Sequence, residues 1–468
     1  VYVEGLHTGS VPWGLAVGIA PFDLPRNTDS ATTVPGNSTY EGGSLDFEGS
    51  GYTLLKANAG GQNDNIAAYA PSVGEYLQVA FDSSNGKIWY GINNTWHGSG
   101  NPSTGANPDS TLDVVTTWHG WVGCYSTSVI AVLNFGATDY QYTPPTGFGS
   151  ITTTAITDNT TRTASDTNKY FQTVLYEGNG AGQRVGDFQP FTDTFTVAKS
   201  ALYPATGYLT RTFDEAGNRQ IFSLSSWFKI GQTGEQEASS GVAMFASFNG
   251  SSNSESTWFT IRLNTSNQLV VSIWNDLITT RTFEDASQWY HLLVAVDTTQ
   301  STASDRIKVY INGVQETSFG TANYPTEDAT LAWGVDSTVH YVGKYSTYEW
   351  NGYLAQTAYI TGTQLTPSSF GQTDTSTNRW IPKDISGLTF GSAGFFLDYA
   401  DSGNVGDDES GNTNDFTNIN SVARVTDSPT TNYATLNPSN KAATVVLSIG
   451  NTEMTTGVAS IYNAVGTI

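Results

Sequence analysis

At 468 residues the chain is longer than one hydrophobic core supports, and a length of this order divides into about three units, or two if they are large β domains; two are expected. Charged residues make up only 13%, against about 25% in ordinary globular domains, and 48 glycines accompany abundant Ser, Thr and Asn, a balance suited to strands and turns rather than solvated helices. The 19 Lys and Arg against 42 Asp and Glu give a net charge of −23, which excludes a general electrostatic attraction to nucleic acid or to anionic membrane.

Hydrophobic residues at 38% and aromatics at 12% are enough to fill cores, so disorder is not expected. One cysteine, Cys124, rules out an intrachain disulfide framework, and the five scattered histidines show no zinc-ligand spacing. No run of about 18 apolar residues and no charged leader followed by an apolar stretch is present, so neither a membrane span nor a signal peptide is expected. The chain opens on Val1-Tyr2-Val3-Glu4-Gly5-Leu6 rather than on Met, and these residues read as the middle of a strand. The sequence is therefore expected to be a piece of a longer polypeptide.

In chain order, 1–4, 13–20, 52–56, 76–82, 87–93, 121–126 and 129–135 read as strands separated by Gly/Ser/Asn/Pro stretches. Residues 151–187 are rich in Thr, Asn and Asp and read as a linker, with 170–176 as one docking strand. A larger region, 188–425, carries strand candidates at 208–212, 222–229, 243–248, 258–263, 269–274, 338–345, 353–361 and 394–399. Within it Trp289–Gln315 reads as two strands and the start of a third, turned by Asn312-Gly313, since both central residues of a type I′ turn need positive φ. Asn249-Gly250 and Asn351-Gly352 are expected to repeat this device. The stretch alternates Leu292, Val294 and Val296 with Leu293, Ala295 and Asp297, so it is expected to be core scaffold, buried on both faces. The tail, 426–468, holds a polar connector and two apolar strands, 444–449 and 458–462. The fold class is all-β, with two antiparallel β-sandwich domains.

Two sets of residues carry a resemblance. The segment IWYGINNTWHGSGNPSTGANP, followed by VGCYSTSVIAVLNFGATDYQYTPPTGF, resembles the second half of an SPRY-like domain of phage structural proteins, so 1–150 is read as an SPRY-like sandwich whose opening strands are missing. The segments AGNRQIFSLSSWFKIG, WYHLLVAVDTTQSTASDRIKVYINGVQETSF, HYVGKYSTYEWNGYLAQTAYITGTQLTPSSFG and DDESGNTNDFTNIN are similar to a concanavalin/laminin-G-like lectin domain of marine phage tail-fibre and virion proteins. In such proteins the tail leads from a lectin domain into the opening strands of an SPRY-like one. Residues 435–468 would thus supply what 1–150 lacks, in a longer chain that alternates the two units.

Concanavalin-like sandwiches also host glycoside hydrolases, which need two carboxylates about 5–10 Å apart. Here Glu235, Glu237, Glu284, Asp285 and Asp407–Glu409 fall in loops, none alternating on an apolar strand, so the chain is not expected to be an enzyme. There is no Gly-x-Ser-x-Gly elbow, and His291 reads as a sheet residue, whereas His97 and His119, beside tryptophans, could touch a ligand or serve the fold. The acidic loop 401–415 presents Asp401, Asn404, Asp407, Asp408 and Asn412 as candidate ligands of calcium, a cation that takes six to eight oxygens, with an Asx-turn network as the alternative.

Sugars stack on aromatic rings and take hydrogen bonds from Asn, Asp and Gln. Trp96, Trp118, Trp121, Trp274, Trp333 and Trp350 lie in or beside polar loops and are candidate carbohydrate-binding residues, whereas Trp89, Trp227 and Trp289 lie inside strands and are expected in the core. The resemblance implies a virion-surface, tail-fibre-like protein that adheres to a host-surface glycan. It further implies docking to other virion proteins and a homo-oligomer, a trimer by the fibre likeness. An architectural fibre without a ligand is the first alternative, and glycan degradation the second.

Overall fold

In the computed structural model, the described residues are 2–7, 15–21, 43–48, 52–57, 62–65, 72–112, 118–124, 130–136, 139–150, 195–204, 206–231, 241–250, 254–346, 348–374, 378–441, 445–448, 450–456 and 462–466. The expected linker and docking strand at 151–187 lie outside them. The fold is all-β and the sheets are antiparallel throughout; helical pieces among the described residues are single turns such as Ala303–Arg306.

The first sandwich is discontinuous in sequence. One sheet runs, in spatial order, Val445–Ser448, Glu453–Thr456, Ile130–Asn134, Tyr2–His7, Tyr76–Asp82, Lys87–Ile92, Thr95–Trp96. Its partner runs Leu436–Lys441, Tyr462–Gly466, Trp118–Cys124, Leu15–Pro21, Gly43–Glu48, Tyr52–Ala57, Gln62–Asn65. Both sheets thus end on strands from the last 33 residues of the chain. Ala131 sits opposite Met454, and Val122 opposite Ala464. Leu436, Leu447 and Met454 share one buried cluster with Leu15, Val17, Leu77, Phe81, Val122 and Leu133. Strand alternation explains this: each strand turns every second apolar residue toward the gap between the sheets.

The second sandwich is inserted between those two segments. One of its sheets runs Val314–Gln315, Ile307–Ile311, Tyr290–Asp297, Ile221–Ile230, Gly352–Thr361, Ser200–Tyr203, Ala423–Val425, with Phe395–Leu397 as an eighth strand paired to Gly352–Thr361. The other runs Phe319–Ala322, Asn275–Thr282, Gln268–Ile273, Trp258–Leu263, Val242–Phe248, Val339–Val342, Tyr208–Thr212, Thr417–Ile419. Leu292, Val294 and Val296 enter the core between the sheets, while Leu293 and Ala295 pack outward beneath Phe370, Ile385, Phe390 and Phe396. Tyr290–Asp297 is therefore covered on both faces, as its pattern predicts. Ile307–Ile311 is not, because Lys308 and Tyr310 remain half-exposed between buried Ile307, Val309 and Ile311.

Asn312 and Gly313 both adopt positive φ, 49° and 79°, as the type I′ turn requires. The other two Asn-Gly pairs differ from expectation: only Gly250 and Gly352 of those pairs have positive φ. Asn351 is buried, and its Oδ1 accepts from the backbone N–H of Gly450 at 2.9 Å. Tyr353 Oη donates to the Gly450 carbonyl at 3.0 Å. A Cβ at Gly450, where φ is 59°, would lie 2.4 Å from Leu202 Cδ1, so glycine alone lets the 450–452 turn of the first sandwich seat against the second.

Candidate functional site

The solvent-facing side of the second sheet carries a group of aromatic rings. In Trp258–Leu263, Phe259, Ile261 and Leu263 point into the core, so Trp258, Thr260 and Arg262 take the opposite face. Phe248 pairs with Trp258 across the adjoining strand, 42% exposed, its ring edge-on at 5.6 Å. Tyr345 meets Trp258 edge-on at 4.9 Å and stacks with Tyr348 at 6.1 Å across the short 344–349 hairpin. Trp258 Nε1 donates to Ser272 Oγ at 3.2 Å, which fixes the orientation of the central ring.

Trp274 completes the platform, 6.4 Å from Trp258. It is the whole connection between Gln268–Ile273 and Asn275–Thr282, since Ile273 and Asn275 face each other in the ladder. So tight a turn forces φ to 77° at a residue with a bulky side chain, a backbone state that costs roughly 1–3 kcal/mol. Its indole is nevertheless 46% exposed, so this strain is not offset by burial. Around the rings stand polar groups: Arg262 approaches Asp276 at 3.8 Å, Lys344 pairs with Glu349 at 3.1 Å, and Asn249 and Asn275 are exposed. Burial first, then the opposing attraction of Asp276, leaves Arg262 with a lowered pKa, and burial raises that of Tyr345. Thr260 Oγ1 and Arg262 Nη1 have no hydrogen-bond partner among the described residues, which leaves unused donor capacity at the platform's base.

The tryptophans expected at a ligand site do not converge. Of them, Trp274 belongs to this platform. Trp350 and Trp333, expected in exposed loops, are fully buried in the core of the second sandwich, where both chain segments fold inward. Trp333 packs among Phe213, Phe245 and Phe259. In the first sandwich Trp121 is buried as well, and Trp118 packs on Phe81 at 5.4 Å with its Nε1 enclosed. Trp96 is half-exposed and lies over Gly91. Trp89, Trp227 and Trp289 are core, as expected. Phe248, Trp258, Tyr345 and Tyr348 were not among the expected site residues; the alternation of Trp258, Thr260 and Arg262 against Phe259, Ile261 and Leu263 is the signal that marks Trp258 as outward.

The histidines serve the fold where they are described. His97 Nδ1 meets Asp109 Oδ1 at 2.5 Å, while Asp109 Oδ2 accepts from Tyr90 N–H at 2.7 Å, which ties the 96–109 loops to their strand. His291 is fully buried with Nε2 on Ser225 Oγ at 2.9 Å. The His119 side chain lies outside the described residues.

The oxygens expected to hold calcium are largely committed to the loop itself. Asp408 Oδ1 accepts from Phe396 N–H and Ser410 N–H, and Oδ2 from Ser410 Oγ and Asn414 N–H, all at 2.8–2.9 Å. Asp401 Oδ1 caps Gly403 and Asn404, Asn404 Oδ1 accepts from Gly406, and Asn412 Nδ2 donates to Gly391 and Gly394. Asp407 is half-buried; burial first, then the charges of Asp415, Asp401, Asp398 and Asp408, raise its pKa. No group of three or more His, Cys, Asp or Glu able to hold a metal occurs among the described residues. The donor set therefore fits an Asx-turn network better than a cation cage.

This architecture, two eight-stranded antiparallel sheets closed over one core, is that of a lectin-type β-sandwich. Residues 205–369 match the laminin-G model described as the concanavalin A-like lectin/glucanases superfamily, which makes this part of the chain a concanavalin-like domain. No curated protein matches the chain. Among solved structures, a putative carbohydrate binding protein from Bacteroides ovatus is similar at 10% identity, covering 92% of this chain and 94% of that one, TM-score 0.34. Domain 4 of AbnA, an extracellular arabinanase from Geobacillus stearothermophilus solved with arabinotriose, is 21% identical over 36% of this chain and 73% of that one, TM-score 0.26. The LG4-5 domains of the mouse laminin alpha1 chain are 11% identical over 78% of this chain and 84% of that one, TM-score 0.25.

Proposed function

We propose that the second sandwich binds carbohydrate on the Phe248–Trp258–Trp274–Tyr345–Tyr348 platform, and that the chain is an adhesive protein of a virion surface, of the tail-fibre kind. The observation that carries the binding reading is Trp274, an indole held in solvent by a strained one-residue turn. Strain of this kind collects at ligand sites, where the display of a side chain outweighs local stability. Aromatic faces with Ser, Arg, Asp and Asn around them match the alternating C–H and hydroxyl faces of a sugar. Binding is passive, and a homo-oligomer multiplies a weak single site into useful avidity. A glycan array tests this: selective signal that Trp258→Ala removes supports it, and silence overturns it. Release of reducing ends from a bound polysaccharide would instead make the protein a glycanase.

The architectural reading has its own support. Tyr2–His7 and Tyr462–Gly466 lie in one sandwich, and Gly450 is hydrogen-bonded to Asn351 and Tyr353 of the other. Such a chain suits a rigid spacer, and a silent array would favour that role.

A further inference from the structure

The connector between the two sandwiches passes over a buried lysine. Lys229, in Ile221–Ile230, is fully buried, and its Nζ lies 2.8 Å from Asp427 Oδ2, 2.8 Å from Asn432 Oδ1 and 2.6 Å from the Tyr433 carbonyl. Asp427 is fully buried too; Trp289 Nε1 donates to its Oδ1 at 2.9 Å. The Asn432 amide is oriented by its Nδ2, which donates to the Ser287 carbonyl at 2.6 Å. Tyr353, with its ring centroid 5.5 Å from Nζ, walls the site together with Trp289, and Trp227 belongs to the same buried cluster. A lysine amine and a carboxyl are thus enclosed away from water, with the half-buried side-chain amide of Asn432 in contact with the amine, on segments 203 positions apart.

We propose that Lys229 and Asn432 form an intramolecular isopeptide bond, with Asp427 as the proton carrier. Lys229 first passes a proton to Asp427, leaving a free amine beside a neutral acid. The Nζ lone pair attacks Asn432 Cγ, the Cγ–Nδ2 bond breaks as Asp427 gives its proton to the departing nitrogen, and the carboxylate so regenerated takes the second proton from Nζ. An Nζ–Cγ amide forms and ammonia leaves; nothing is oxidised or reduced, and no co-reactant is needed. Holding both groups in contact supplies an effective concentration of the order of 10⁵–10⁸ M, which lets an otherwise sluggish aminolysis proceed. Burial acts in the required direction on both titrating groups, lowering the amine's pKa and raising the carboxyl's. The bond would join the lectin-type sandwich covalently to the connector that carries the closing strands of the other, a fitting device for a protein under tension.

Mass spectrometry of the full chain in denaturant tests the assignment. The expected mass is about 17 Da, one ammonia, below that of the sequence, and a proteolytic digest yields a branched peptide joining Lys229 to Asn432. Asn432→Ala and Lys229→Met restore the unmodified mass, and Asp427→Asn slows formation. The branched peptide is read on the natural sequence, so a variant that fails to fold leaves the test intact. A peptide set in which Lys229 is free overturns the proposal, as does a loss of about 18 Da with a branch to Asp427. A loss of ammonia without any branched peptide is a succinimide at an Asn-Gly pair and overturns it equally.

Discussion

Removing residues 436–466 should unfold the first sandwich and leave the second standing. In that segment Leu436, Leu447 and Met454 are each at most 2% exposed and sit in the same cluster as Val122, Ala131 and Leu133. Burying one such side chain is worth roughly 1.5–3 kcal/mol, so the three together supply about 5–9 kcal/mol, of the same order as the whole net stability of a domain. The loss also uncovers the ladder edges of Trp118–Cys124 and Ile130–Asn134, now paired with Tyr462–Gly466 and Glu453–Thr456. Limited proteolysis with mass readout measures the result. The truncated chain should be cut throughout 2–135 while 200–425 persists. The single change Met454→Ala should destabilise the first sandwich by ~2–5 kcal/mol, the range for a fully buried large-to-small substitution. Equal protease resistance of 2–135 with and without the C-terminal strands would refute the reasoning.

Acid should weaken the second sandwich. Burial holds the His291 and His340 imidazoles at about 3, below the ordinary 6.5, and His340 is fixed in its neutral form by accepting from Gly334 N–H at Nε2 and meeting the Thr338 carbonyl at Nδ1. Because the folded values are depressed, the unfolded chain takes up protons first: stability is complete above about pH 6.5 and falls progressively toward pH 3, by roughly 2 kcal/mol per imidazole at pH 5. A melting temperature constant from pH 7 to pH 4 would contradict this. Chelation should leave the melting temperature unchanged, since Asp408 and Asn412 already satisfy the 391–415 loop through its backbone; a marked fall in EDTA, reversed by calcium, would show that the loop holds a cation.

Much of the fold is legible in the sequence because strand signals are local. The alternation in Tyr290–Asp297, the apolar Ile221–Ile230 and the Asn312-Gly313 turn need no knowledge of distant residues. Asn275–Thr282 escapes such reading, because its polar Asn275, Asp276, Thr279, Thr280 and Arg281 dilute the apolar period, and pairing with Gln268–Ile273 makes it a strand. The site is harder still. Its rings come from four separate places in the chain, and the ends of Val242–Phe248 and Gln268–Ile273 look alike whether the terminal aromatic turns in or out. Trp350 and Trp333 sit among Gly, Asn and Asp, a composition that suggests exposure, yet the loops carrying them fold into the core between the sheets. Trp274 is distinctive only through its φ, a property that arises from the register of its two flanking strands and is invisible in composition.

Carbohydrate binding at the platform is tested most directly by measuring the affinity of the best array glycan for the natural protein and for Trp274→Gly. Glycine accepts φ 77° freely, so the variant should melt no lower than the parent while losing a stacking ring. The account predicts at least a roughly tenfold weaker affinity, about 1.4 kcal/mol, with an undiminished melting temperature. Unchanged affinity in the folded variant would contradict it.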